Sequence, residues 1–178
     1  MFQYSFPEDD LLQNLIDLYF SIPPVYLPIL YQPHFRRDLA LGRHLVDSSF
    51  ACVVLLVCAI ASRESTDPRV LFDGRDRRTA GWKYFSQTSR LARPLHLPPT
   101  VDDVQVCCLL MDFTSTTSNP MASWTIIGLG LRYAVELGFH RHQSNEPRTI
   151  ESEVSKRLFW LLLFYERATC LYNGRPLY

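Results

Sequence analysis

Residues 119–142, NPMASWTIIGLGLRYAVELGFHRH, and residues 151–176, ESEVSKRLFWLLLFYERATCLYNGRP, decide how this chain is read. The first stretch opens on Asn119 and Pro120, a side chain able to accept from the free amides of a first turn and a ring whose fixed φ suits the first helical position. It closes at Gly138, which takes the left-handed conformation that ends a helix, with Phe139 placed to fold back on the last turn. Between these signals Thr125, Arg132 and Glu136 recur on one narrow polar stripe. Trp124, Ile126, Ile127, Leu129, Leu131, Tyr133, Val135 and Leu137 fill the remainder, so the spacing predicts a helix packed on most sides. The second stretch begins beside Thr149, carries Glu151 and Glu153 in its first turn where the helix dipole favours negative charge, and stops at Asn173 and Gly174. Leu158, Phe159, Leu161, Leu162 and Tyr165 form its apolar side.

Working outward, the rest of the chain also reads as helices. Leu11, Leu12, Leu15, Ile16 and Tyr19 recur at helical spacing over residues 8–21. Pro23, Pro24, Pro28 and Pro33 forbid one regular helix after it, leaving an extended turn, anchored by Tyr26, Ile29 and Leu30, and a short helix over residues 35–42. A helix over residues 48–62, capped by Asp47 or Ser48, contains the longest apolar run, Phe50 to Ala61. At about 1.5 Å per residue this run is too short for a hydrocarbon core of roughly 30 Å, so it reads as a buried central helix and no membrane partner is expected. Residues 64–78 read as the main surface loop, and residues 79–92, with Trp82, Phe85 and Leu91, as a fourth helix ended by Pro94, Pro98 and Pro99. Thr100 with Asp103 forms a capping box for a helix reaching Thr114. No internal repeat, low-complexity tract or interior boundary is apparent. The expected fold class is all-α, a single antiparallel bundle of about six to seven helices.

Bulk properties narrow the functions. The 178 residues are 47% hydrophobic and 13% aromatic, which argues for a packed core and against disorder. Eighteen basic residues balance eighteen acidic ones, leaving no net field to hold a phosphate backbone, so no DNA-binding residue is assigned within this chain. Acidic Glu8, Asp9 and Asp10 near the start do not resemble the basic region of a secretory signal. Cys52, Cys58, Cys107 and Cys108 sit inside apolar helical patterns and read as buried free thiols. Adjacent Cys107 and Cys108 point to different sides of a helix, and closely spaced ligand cysteines are lacking, so no metal-ligating set is assigned.

Candidate sites give way to structural readings. Gly128 and Gly130 make a Gly-x-Gly inside a helix rather than at a strand-to-helix turn, which argues for close helix packing over nucleotide binding. His140, Arg141 and His142 follow a helix end, where cations offset exposed carbonyls; His34, His44 and His96 add no ligand spacing. Arg63, Arg69, Arg75, Arg77 and Arg78 crowd one loop, but Asp67, Asp73 and Asp76 cancel their field. No nucleophile elbow, metalloprotease pair or P-loop occurs, so no catalytic residue is assigned and an enzyme is not expected. Residues binding a cofactor are not identifiable from one sequence.

The ordered set of Asn119-Pro120, Ala122, Trp124, Gly128-Leu129, Leu137-Gly138-Phe139-His140-Arg141, Arg157-Leu158-Phe159-Trp160, Glu166-Arg167 and Gly174-Arg175-Pro176 resembles the fungal-specific transcription factor domain. This is the middle homology region of zinc binuclear cluster (Zn2Cys6) regulators, also called the xylanolytic activator-type regulatory domain. LIDLYFSIPPVYLPILYQPHF at residues 15–35 and VDDVQVCCLLMDFTSTTSNP at residues 101–120 extend the likeness over most of the chain. Two positions depart from the family pattern: Glu166 stands where Asp is usual, and Ile22-Pro23-Pro24 replaces a common His-Pro.

The resemblance implies that residues 1–178 are a regulatory domain. Zinc and DNA would be held only by a separate amino-terminal cysteine cluster, absent from this chain, so the chain itself is expected to need no cofactor. Expected partners are a protein or a small-molecule effector, with a homodimer as a further arrangement, and the expected compartment is the nucleus. Family members continue past the Gly-Arg-Pro motif with further helices, so the domain is expected to be incomplete at its carboxyl end, with an uncovered apolar patch near its last helix. Two other readings remain at this level: a helical interaction module without a transcriptional role, and an all-α enzyme, which polar groups converging in one enclosed pocket would favour.

Overall fold

A computed structural model describes residues 4–21, 28–72, 76–88, 97–115, 121–141 and 149–176. Among the described residues there are seven α-helices and no strand: α1 (Asp9–Ser21), α2 (Gln32–Ala40), α3 (Ser48–Ala61), α4 (Trp82–Phe85), α5 (Val101–Ser115), α6 (Met121–Glu136) and α7 (Ile150–Asn173). The all-α class is therefore observed. The sequence reading treats the chain as one bundle, whereas its contacts group into two compact units: Met1–Val25 with Gln32–Leu97, and Tyr26–Tyr31 with Pro98–Tyr178. Each is described by itself.

The first unit is built around α3. Asp47 opens this helix by accepting the amides of Ser49 and Phe50 through Oδ1 at 3.0 and 3.3 Å. From Ser49 to Ala59 every residue is buried, so the apolar run is a core helix with no solvent face. Leu11, Leu12, Leu15 and Ile16 of α1, Phe35 and Leu39 of α2, and Tyr84 of α4 are among the other buried side chains. Within the described part of the loop that follows α3, residues 67–70 are held by ion pairs rather than solvated freely. Arg69 donates to Glu8, Asp10 and Asp67, each at 2.8 Å, and so ties the 3-10 turn Pro68–Val70 to the start of α1.

The fourth helix differs from its expected extent. It spans only Trp82–Phe85, followed by the 3-10 turn Ser86–Thr88; the expected residues 89–92 lie outside the described residues. Its late start has a steric cause. Gly81 has φ +80°, and a Cβ there would overlap the carbonyl oxygen of Ala59 in α3, so the chain crosses the core helix before it can coil.

The second unit is a three-helix assembly in which α5, α6 and α7 pack against one another. Thr100 and Asp103 make the expected reciprocal cap of α5: the Thr100 amide donates to Asp103 Oδ2 at 2.7 Å, and the Asp103 amide donates to Thr100 Oγ1 at 3.4 Å. Although Cys107 and Cys108 point to different sides, both are buried, because α5 is enclosed around most of its circumference. Helix α6 ends at Gly138, φ +79°, whose amide bonds Val135 O at 3.0 Å while the Phe139 amide bonds Ala134 O at 2.9 Å. Thr149 caps α7 in a reciprocal pair with Ser152, and Gly174, φ +61°, ends it. The Asn119-Pro120 opening, Ile22-Pro23-Pro24, His96 and His142 lie outside the described residues.

Candidate effector groove

Helix α6 is exposed at Thr125, Arg132, Val135 and Glu136 and fully buried along one stripe only. Its buried residues Ser123, Ile127, Gly130 and Ala134 form a single stripe at helical spacing, and small residues on it draw the neighbouring helices close. At Gly130 a Cβ would stand 2.9 Å from Cys107 Cβ and 3.1 Å from Leu162 Cδ2, so glycine is what lets α5, α6 and α7 meet there. Gly130 thus serves helix packing, as its sequence context indicates. Gly128 does not: a Cβ there would meet only the Arg132 side chain, at 3.4 Å.

Beside this seam runs a second stripe, Trp124, Gly128, Leu131 and Val135, spaced i, i+4, i+7 and i+11. It faces Phe159, Leu163 and Glu166, which share one side of α7, and together they enclose a groove of about 900 Å³. Gly128 leaves the middle of one wall without a side chain. Thr125, Arg132 and Glu136, the polar stripe legible in the sequence, line its exposed rim. Arg132 donates through Nη1 to the Gly128 carbonyl at 3.0 Å, one turn back on its own helix. Glu166 is the exception among the polar lining residues, because it is buried at 6% exposure.

The carboxyl-terminal motif closes on this groove. After Gly174 turns the chain, the Arg175 amide bonds Cys170 O at 3.0 Å, and the Arg175 guanidinium lies 4.2 Å from the centroid of the Trp124 ring. The Gly174-Arg175-Pro176 motif and the tryptophan of α6 are thus two halves of one contact.

The other singled-out residues are dispersed. His140 and Arg141 are exposed past the end of α6, with the His140 ring 6.3 Å from that of Phe159. His44 belongs to the first unit, edge-on to Phe6 at 4.9 Å, where burial lowers its pKa. The five cysteines are free and buried, and burial pushes the Cys107 thiol up to about 12. Among the described residues no group of His, Cys, Asp or Glu is placed to hold a metal ion, and no helix is long and apolar enough to cross a membrane. Leu163 and Glu166 are the lining residues that sequence reasoning passed over, Glu166 being noted only as part of the Glu166-Arg167 motif. The signal for Glu166 was present: an acid one turn after Leu163 and two after Phe159, on an otherwise apolar face.

The profile of the fungal specific transcription factor domain matches residues 16–177, and the chain belongs to that family. Among curated proteins it is 25% identical to the thiamine repressible genes regulatory protein of Schizosaccharomyces pombe, over 95% of this chain and 23% of that protein. It is 23% identical to an ABC-transporter-regulating transcription factor of Aspergillus fumigatus, over 96% of this chain and 19% of that protein. A Zn(2)-C6 fungal-type transcription factor of Fusarium oxysporum is also 23% identical, over 98% and 19%. The chain thus spans about a fifth to a quarter of the length of these relatives. No solved structure gives a significant match. The chain is a fungal transcription factor regulatory domain.

Proposed function

We propose that this domain is a non-catalytic sensing module of a nuclear transcription regulator, and that an effector engages it in the groove between α6 and α7. The observation that carries this reading is the groove itself: about 900 Å³ between two helices of one unit, walled by Trp124, Leu131 and Phe159, is of the size and character that small molecules occupy. An occupant favouring one spacing of α6 and α7 over another shifts their equilibrium by its differential affinity, which is what regulation of a linked activity requires. DNA contact and zinc belong, on this reading, to a cysteine cluster elsewhere in the full regulator. The non-catalytic reading draws support from the groove's polar residues: Thr125, Arg132 and Glu136 stand on the exposed rim, with no nucleophile and base paired among them.

The test fuses the chain to a heterologous DNA-binding module driving a reporter gene. Filling the groove with Gly128→Trp is expected to change reporter output by at least threefold at equal protein level and equal promoter occupancy. Unchanged output with the groove filled contradicts the proposal.

A second reading rests on a separate observation. Trp160, Phe164 and Leu171 recur along the outward side of α7 and are 65%, 66% and 84% exposed. Lys156, Arg157 and Arg167 flank them with Glu153 as the acid on that face, and Pro28 joins Trp160 and Phe164 in a shallow depression of about 540 Å³. An apolar stripe with a basic border fits the apolar face of an acidic amphipathic helix. Binding of such a peptide, weakened by Trp160→Ala and by salt, supports this surface; concentration-dependent dimerisation of the chain without peptide points instead to a second copy.

A further inference from the structure

We infer that the groove between α6 and α7 selects a positively charged ligand, an aromatic or branched apolar body bearing an ammonium, amidinium or guanidinium group, and that Glu166 receives that group. The inference rests on the reading of the groove as an effector site and adds the chemistry of its occupant. Glu166 lies on α7 two turns after Phe159, lines the groove and is 6% exposed. Among the described residues its carboxylate has no hydrogen-bond or ion-pair partner. Carboxylates withdrawn from bulk water are usually paired, because the charge is costly to leave without a compensating donor. The Glu166 oxygens keep contact with the water of the groove they line, and a donor carried by a ligand would take the place of that water.

The surroundings agree on the sign of the charge. Glu136 adds a second carboxylate at the rim, so the lining carries two carboxylates against the one guanidinium of Arg132. Arg175 lies over the Trp124 ring. Phe159, which also lines the groove, offers a ring that attracts a cation's apolar flank and its charge together. An anionic occupant would bring a third negative charge beside Glu166 and Glu136.

Three probes of matched body separate charge from shape: 2-(1-naphthyl)ethylamine, 2-(1-naphthyl)ethanol and 1-naphthylacetate, titrated calorimetrically into the full chain. The amine is expected to bind at least tenfold more tightly than the alcohol, and the carboxylate most weakly. Glu166→Gln is expected to bring the amine to the level of the alcohol while leaving the alcohol unchanged, and Glu166→Asp to keep part of the preference. Removal of an unpaired buried charge should leave Tm equal or higher, whereas a purely structural Glu166 would lower it and weaken amine and alcohol alike; that result overturns the inference. An amine preference that survives in Glu166→Gln overturns it as well. If amine and alcohol bind equally and Gly128→Trp abolishes both, the groove reading stands and the role of Glu166 falls. If none of the three binds, or Gly128→Trp affects none, the groove reading falls and takes this inference with it.

Discussion

The guanidinium of Arg175 rests 4.2 Å from the centre of the Trp124 ring, so the residue that follows the last helix is fastened to the first exposed turn of α6. Pairs of this kind contribute about 0.5–2 kcal/mol depending on how far they are withdrawn from water. Arg175→Ala is expected to lower stability by that amount and to shift the tryptophan emission of Trp124, measured against a Trp82→Phe, Trp160→Phe background. Arg175→Lys should retain part of both effects.

The two glycines of α6 make opposite predictions. Alanine is favoured over glycine inside a helix by about 0.8–1.0 kcal/mol. At Gly128, where the added methyl meets only the flexible Arg132 side chain, Gly128→Ala should therefore be neutral or stabilising by up to about 1 kcal/mol. At Gly130 the methyl meets Cys107 and Leu162 inside the seam, and overpacking of about 1–3 kcal/mol outweighs the helical gain. Chemical denaturation of both variants checks the pair. Equal effects at the two positions would contradict the assignment of one to the seam and the other to the groove.

In the first unit, hydrogen bonds from Arg69 hold the carboxyls of Asp10 and Asp67 below the usual carboxylate range. Because these folded-state values are depressed, the stabilisation is complete above the unfolded carboxylate value of about 3.9 and is lost as pH falls through the lower folded values. Arg69→Gln should reduce Tm near neutrality, and the gap to the parent chain should narrow below about pH 4. A gap independent of pH would remove the ion-pair network as its cause.

Burial raises the thiols of Cys58, Cys107 and Cys108 away from the reactive range. Cys52 and Cys170 are buried too, so none of the five cysteines should react with a soluble thiol reagent at pH 8 in the folded chain, and all five should react in denaturant. Rapid reaction of any one under native conditions would show that its helix opens locally.

The helices were legible in the sequence wherever a cap accompanied a helical period. Asp47, Thr100 with Asp103, Gly138, and Thr149 with Gly174 each mark an observed end within a residue or two. The fourth helix begins later than its helical period suggests, because the constraint that delays it, Gly81 against Ala59, is a tertiary contact that no local pattern carries. The groove was hidden for a related reason. An apolar residue such as Leu131 or Val135 reads as core whether it meets a neighbour or lines a gap, and only the small-residue stripe through Gly130 reveals which face of α6 is the packed one. The apolar patch expected near the last helix is present at Trp160, Phe164 and Leu171.

Hydrogen exchange of the chain with and without saturating 2-(1-naphthyl)ethylamine tests the groove most directly, because it reports where a ligand sits without assuming what it does. The account predicts slowed exchange confined to residues 124–136 of α6 and 159–166 of α7, with α1, α2 and α3 unchanged. Protection centred on α3, or on the outward Trp160 and Phe164 face after Gly128→Trp has filled the groove, would contradict it.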